Sequence, residues 1–137
     1  MSVSLKNLTR FCVDEKSVLT VLQKILEEEG KKEEVSVVFV GSKKIKELNR
    51  VYRKKDYATD VLSFVFDEKN FLGEVFVCPA KVKKDFKKED FTKEFFRVII
   101  HGVLHLCGYR HNTTESEKKM NERTEHYLNI VGGVTRS

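Results

Sequence analysis

The stretch Phe91–His111 reads FTKEFFRVIIHGVLHLCGYRH, and the rest of the fold is arranged around it. Phe95, Val98, Ile99, Val103 and Leu106 recur at helical spacing, so the segment as far as Cys107 predicts a helix with one buried face. Gly108 then ends it as a left-handed cap residue does. His101 and His105 are four apart, which places both imidazoles on one helix face, about a turn from each other. A sharp exit at Gly108 lets His111 swing back toward the same point. Three nitrogens converging on one ion leave a fourth position open, as in catalytic rather than structural zinc sites.

Working outward, Pro79 closes a pair of strands, Val61–Phe66 and Leu72–Cys78. Their short polar link, Asp67–Asn70, predicts an antiparallel hairpin. The β-branched run Val35–Val40 reads as a buried strand, broken by Gly41-Ser42. Ser42 is a candidate cap for a helix with Ile45, Leu48 and Tyr52 on one face. Asp14 caps an earlier helix with Val18, Val21, Leu22, Ile25 and Leu26 inward, stopped by Gly30. The lysine-dense Lys81–Asp90 segment predicts a short helix. Thr114 and Glu117 make a capping box for a last helix carrying Met120, Tyr127, Leu128 and Val131, closed by Gly132-Gly133 before a loose tail. The expected fold class is α/β (α+β): a small mixed β-sheet packed with helices, with the metal site at the end of a core helix. Residues 1–137 are expected to form a single metal-dependent hydrolase domain.

Composition narrows the function. Apolar residues make up 40 % and charged residues 34 %, an ordinary globular balance. The net charge of +5 favours polyanionic partners such as RNA. Cys12, Cys78 and Cys107 are odd in number and widely spaced, which argues against a disulfide framework and for a reducing cytoplasm. No signal-peptide core and no membrane-spanning apolar run is visible, so the expectation is a cytoplasmic protein.

The three histidines fall at the ligand positions of the metzincin pattern HExxHxxGxxH, with Gly108 at its glycine. Gly102 stands where those proteases carry the glutamate base. A metal site therefore remains, without the usual proton acceptor for peptide hydrolysis. Zinc lowers the pKa of a bound water to about 7, which would compensate. The small Gly102 would also leave room for a bulky phosphodiester. His126 is alone on the last helix, and Cys107 points to a different face from His105. Lys81, Lys83, Lys84, Lys87 and Lys88 form a basic run that Lys43, Lys44, Lys54 and Lys55 could extend into an RNA track. Asp60 either orients a ligand histidine or makes a local turn bond. Ser63 lacks the GxSxG context of a serine nucleophile.

HGVLHLCGYRH closely resembles the HGxLHLxGYDH signature of the YbeY family, endoribonucleases of ribosomal RNA maturation. Leu48-Asn49, Tyr52 to Asp56 and Thr59 to Phe64 resemble that family's LN..YR.KD..TDVLSF, and Leu72 to Val75 resembles its LGDI. The resemblance implies zinc, one ion per chain, on His101, His105 and His111. It implies Arg53 as a functional arginine, with His105 and Arg53 as the catalytic pair. It further implies ribosomal RNA and the small ribosomal subunit as partners, with ribosomal proteins as further candidates. Rival readings are a zinc-stabilised ribosome-binding module without catalysis, and a metal hydrolase of peptides or amides. Departures from the pattern are Arg110 in place of Asp, Ala58 and Val65 in place of prolines, and Glu74 in place of Asp.

Overall fold

The computed structural model describes residues 3–87 and 90–135. In chain order the elements are β1 Val3–Asn7, α1 Glu15–Glu28, β2 Glu34–Phe39, α2 Ser42–Arg53 and β3 Val61–Glu68. They continue with β4 Phe71–Val77, α3 Pro79–Asp85, α4 Phe91–Leu106 and α5 Thr114–Thr135. The strands form one four-stranded sheet in the order β1-β2-β4-β3. β1, β2 and β4 run parallel, and β3 pairs antiparallel with β4 at the edge. This is the expected mixed α+β sheet, with β1 as an added strand.

Side-chain alternation along β2 sorts the core onto two faces. Val35, Val37 and Phe39 point to one side, joined by Val75 and Val77 of β4. That side is covered by the apolar stripes of α1, α4 and α5. Val38, Val40, Leu62 and Cys78 point to the other, where they meet Ile45 of α2. The run read as a strand buried on both faces is therefore that.

Local signals account for most boundaries. The Asp14 carboxylate accepts from the Ser17 N–H at 3.2 Å and from its hydroxyl at 2.6 Å, capping α1. Several boundaries differ from expectation. β3 runs on to Glu68, so the hairpin turn is the pair Lys69-Asn70, with Asn70 at φ +69°, a conformation asparagine tolerates. Gly41, not Ser42, caps α2, and it does so without a side-chain bond; the Ser42 hydroxyl lies 3.7 Å from Cys78 Sγ instead. Tyr52 is 63 % exposed, outside the core to which its spacing assigned it. Pro79 both ends β4 and starts α3, where its missing N–H costs nothing.

The capping box of α5 sits one residue earlier than expected. Ser116 N–H donates to Thr113 Oγ1 at 3.0 Å, and Thr113 N–H to Ser116 Oγ at 3.1 Å. Gly132 and Gly133 lie inside α5 rather than closing it. Lys88 of the basic run and the tail residues Arg136 and Ser137 lie outside the described residues. No helix among the described residues is long and apolar enough to cross a membrane.

Candidate metal centre and catalytic site

The C-terminus of α4 is built to bring His111 back. Cys107 is the cap residue, and Gly108 follows at φ +106°. The Gly108 N–H donates to the His105 carbonyl and the Tyr109 N–H to the Leu104 carbonyl, each at 3.1 Å. That pair of bonds is a Schellman motif, and it reverses the chain within one turn. His111 arrives beside the two helix histidines. The ligand nitrogens of His101, His105 and His111 all lie within 4.8 Å of one another. Ring centroids are 4.9 Å apart for His101–His105, 6.0 Å for His101–His111 and 4.9 Å for His105–His111. His101 and His105 are half-buried and His111 is exposed, so the cluster opens to one side.

Electrostatics suit a metal. Burial, and then His111, push the His101 pKa below its ordinary value. Burial pushes His105 further, to about 4, helped by His101, His111 and Arg110 against a hydrogen bond with the Tyr109 backbone. Both imidazoles are therefore neutral at neutral pH, the form that binds an ion. The donor set fits a borderline-soft divalent metal with an open position.

Arg53, at the end of α2, reaches the edge strand. Its Nη2 donates to the Ser63 carbonyl at 2.7 Å, and its guanidinium carbon lies 4.8 Å from the centre of the Phe64 ring. Ser63 in turn donates its hydroxyl to the Gly102 carbonyl at 3.0 Å, next to His101. Two bonds thus link the arginine to the helix that carries His101 and His105. Buried Asn49 steadies the loop beyond α2 by donating to the Tyr57 carbonyl at 2.9 Å.

The family model described as Endoribonuclease YbeY matches residues 5–132. This chain belongs to the YbeY family. It is 40 % identical over 128 residues to Endoribonuclease YbeY of Thermotoga petrophila, covering 88 % of this chain and 85 % of that one. It is 33 % identical over 132 residues to the Chlorobium luteolum Endoribonuclease YbeY, covering 93 % and 96 %. The solution structure of a Thermotoga maritima protein superposes with a TM-score of 0.72 at 33 % identity, covering 98 % of this chain and 91 % of that one.

Against the YbeY pattern, Gly102 and Arg110 take on definite roles. Gly102 is buried against the sheet and does not face the histidines. A Cβ there would lie 2.7 Å from Val75 Cγ1, 3.1 Å from Val61 Cγ2 and 3.2 Å from Ser63 Oγ. The expectation that its small size leaves room for substrate is therefore wrong. The glycine lets α4 sit close on β3 and β4. Arg110 donates from Nη1 to the Tyr109 carbonyl at 3.1 Å and the His105 carbonyl at 3.4 Å. It serves the C-terminal carbonyls of α4, where a cation is favoured.

The remaining candidates resolve locally. Asp60 is held by Thr59 and by the backbone at Asp60 and Val61, the turn-forming alternative. Cys107 is half-buried, burial pushes its thiol up to about 11, and it is not part of the histidine cluster. His126 Nε2 pairs with Glu28 Oε1 at 2.8 Å on the far side of α5. Ser42 against Cys78 places Lys43 and Lys44 beside the start of α3. Lys54 and Lys55 lie at the other end of α2, roughly 18 Å away at 1.5 Å per residue.

Sequence reading missed Glu29. Its carboxylate accepts from Tyr127 Oη at 2.6 Å, Arg123 Nη2 at 2.8 Å and Tyr109 Oη at 2.9 Å. Tyr109 lies two residues before His111, so this hub ties the returning loop to α1 and α5. Nothing local marks it, because its partners lie 80 to 98 residues away.

Proposed function

We propose that this chain is a metal-dependent endoribonuclease that hydrolyses phosphodiester bonds in ribosomal RNA. One zinc ion per chain is assigned to His101, His105 and His111, with the small ribosomal subunit and its proteins as partners in maturation and quality control. The observation that carries this reading is the convergence of three imidazoles within 4.8 Å beside the strand on which Arg53 is anchored. A divalent ion held there supplies Lewis acidity and an activated water at neutral pH.

The chain's own residues supply the rest. Burial keeps His101 and His105 unprotonated and available as donors. The Schellman turn at Gly108 fixes where the third imidazole stands. Arg53 uses one of its five N–H donors on Ser63, and the fork that remains suits a phosphate and the charge that grows on it in the transition state. The activity named for its YbeY relatives and the net charge of +5 both support an RNA substrate. A protease reading loses support because the position of the usual glutamate is packed against Val75 and Val61.

The test is incubation of metal-quantified protein with structured and single-stranded RNA, with casein as a parallel substrate. Cleavage of RNA alone is expected. Arg53→Ala should retain fold and metal yet lose most cleavage. His105→Ala should lose both metal and cleavage. Intact RNA after long incubation with metal-loaded protein would favour a binding module, and casein degradation without RNA cleavage a peptide hydrolase.

A further inference from the structure

The outer face of the sheet carries an open aromatic groove that the metal chemistry does not use. It lies between α2 and strands β3 and β4, with a volume of about 350 Å³, within the range of small-ligand clefts. Tyr52, Phe64, Phe66, Phe76 and Glu74 line it. Tyr52 meets Phe64 edge-on at 5.4 Å, and Phe64 meets Phe76 edge-on at 5.9 Å. Tyr52 is 63 % exposed and Phe66 38 %. Apolar surface gathered in one cleft and rimmed by polar residues is the form a ligand groove takes.

We propose that this groove is a nucleobase subsite: one unstacked base of a single-stranded RNA lies against Tyr52 and Phe64, while Arg53 holds the adjoining phosphate. The inference rests on the ribonuclease reading and deepens it by placing one base of the substrate in this groove.

Three observations select this occupant. The last turn of α2 and the residues after it carry Arg50, Arg53, Lys54 and Lys55, all exposed, a rim that attracts a polyanion and repels a basic peptide. Within the groove stands a carboxylate, Glu74, which accepts from Ser36 Oγ at 3.0 Å. A carboxylate rejects a phosphate at that spot but accepts from an exocyclic amino group, and the two carbonyls flanking uracil's single N–H make uracil the poorer partner. Finally, the residue at the groove's rim, Arg53, is tied to the helix that carries His101 and His105. Arg53 rests on the Phe64 ring and bonds Ser63, and Ser63 bonds the Gly102 carbonyl beside His101. A base in the groove would leave its adjoining phosphate beside Arg53, which stands over the Phe64 ring. Aromatic rings bind bases by stacking, with little regard to sequence.

The experiment is a binding titration of the full chain in chelator, so that the strand stays intact. Two single-stranded RNA probes of equal length and charge are used: one carries 2-aminopurine among ordinary bases, the other is abasic at its central positions. The base-bearing probe should bind roughly 5- to 100-fold more tightly, the contribution expected of one or two stacking contacts, and its fluorescence should be quenched. Tyr52→Ala should abolish that advantage and the quenching, while Tyr52→Phe keeps both. Phe66→Ala should reduce the advantage independently. Replacing amino-bearing bases with uracil should weaken binding in the native protein and not in Glu74→Gln.

Equal affinity for the two probes, or an advantage that survives Tyr52→Ala, overturns the subsite while metal-dependent RNA cleavage still stands. Failure of both probes to bind, with no cleavage after metal is restored, overturns the ribonuclease reading itself. A native dimer that Tyr52→Ala converts to monomer, with base preference unchanged, would assign the groove to a second copy of this chain and reject the base.

Discussion

The two faces of the sheet have been treated very differently. On one, α1, α4 and α5 close over Val35, Val37, Phe39, Val75 and Val77, and the interior is shut. On the other, α2 packs over Val38, Val40 and Leu62, joined by Ala58 and Ala80, and leaves Tyr52 and Phe66 exposed. Helix α4, on the closed face, presents the metal ligands from a rigid base. Helix α2, on the open face, presents Arg53 across the edge strand. Stability is concentrated on the first face and surface for binding on the second. Substitutions on the two faces should therefore differ in kind as well as in size.

The largest effect is expected at Gly102. Gly102→Ala would press a methyl to within 2.7 Å of Val75 Cγ1, and overpacking of this kind costs roughly 1–3 kcal/mol. Gly102→Glu would recreate the protease motif on paper. In this fold it drives a carboxylate between α4 and the sheet, at a cost on the order of 3–5 kcal/mol for an unpaired buried charge. Denaturant unfolding should show that loss, with no gain of peptidase activity. A Gly102→Glu protein as stable as the native one would mean that α4 does not sit where it is described.

Leu104→Ala comes next. Leu104 is fully buried in the closed core, and truncations there cost roughly 2–5 kcal/mol. The measurement is the midpoint of urea unfolding of the metal-free protein, which separates the core from any contribution of a bound ion.

Glu29 sharpens the comparison by its pH dependence. Burial raises its pKa, but hydrogen bonds from Tyr127, Arg123 and Tyr109 outweigh that, and the folded value lies below 4.5. A depressed carboxyl contributes stability above its unfolded pKa and loses it as pH falls through the folded one. Glu29→Gln should cost about 1–3 kcal/mol at neutral pH, the usual range for breaking a bond to a charged group. Its stability should then fall less steeply than the native protein's below pH 4.5. Because Tyr109 leads into His111, metal affinity measured against a competing chelator should fall as well. A parallel acid limb in the mutant and the native protein would show that Glu29 is not charged in the hub.

What could be read from the sequence divides along the same physical line. The histidine cluster was legible because its geometry is local: a helix repeat, a cap glycine and three residues of turn. The stripes of α1, α4 and α5 were legible for the same reason. Caps slipped by one residue where neighbours compete, as Gly41 does with Ser42 and Thr113 with Thr114. β1 was not read because only Val3 of its five residues is buried, and the strand is defined by its pairing with β2. The role of Gly102 depends on Ser63, 39 residues earlier, and could not be foreseen from the motif around it. Tyr52 kept helical spacing, yet its ring stands 63 % exposed beside Phe64.

The smallest effect is expected at Tyr52, and its smallness is the point. The side chain is 63 % exposed, and its described ring contact is an edge-on approach to Phe64 at 5.4 Å. Aromatic pairs contribute roughly 0.5–1.5 kcal/mol beyond buried area, and exposure places this one at the low end. Tyr52→Ala should therefore change unfolding stability by no more than about 0.5 kcal/mol, as surface substitutions usually do. The helix-favouring alanine offsets part of even that loss. The metal-free protein is again the one to unfold, with the slope against urea checked for constancy. A loss of several kcal/mol would mean that the open face is a second core and that α2 closes on it. Near-neutral stability leaves the aromatic ring without a structural reason to be there, so that any loss of RNA binding in the same variant reports on the groove and not on the fold.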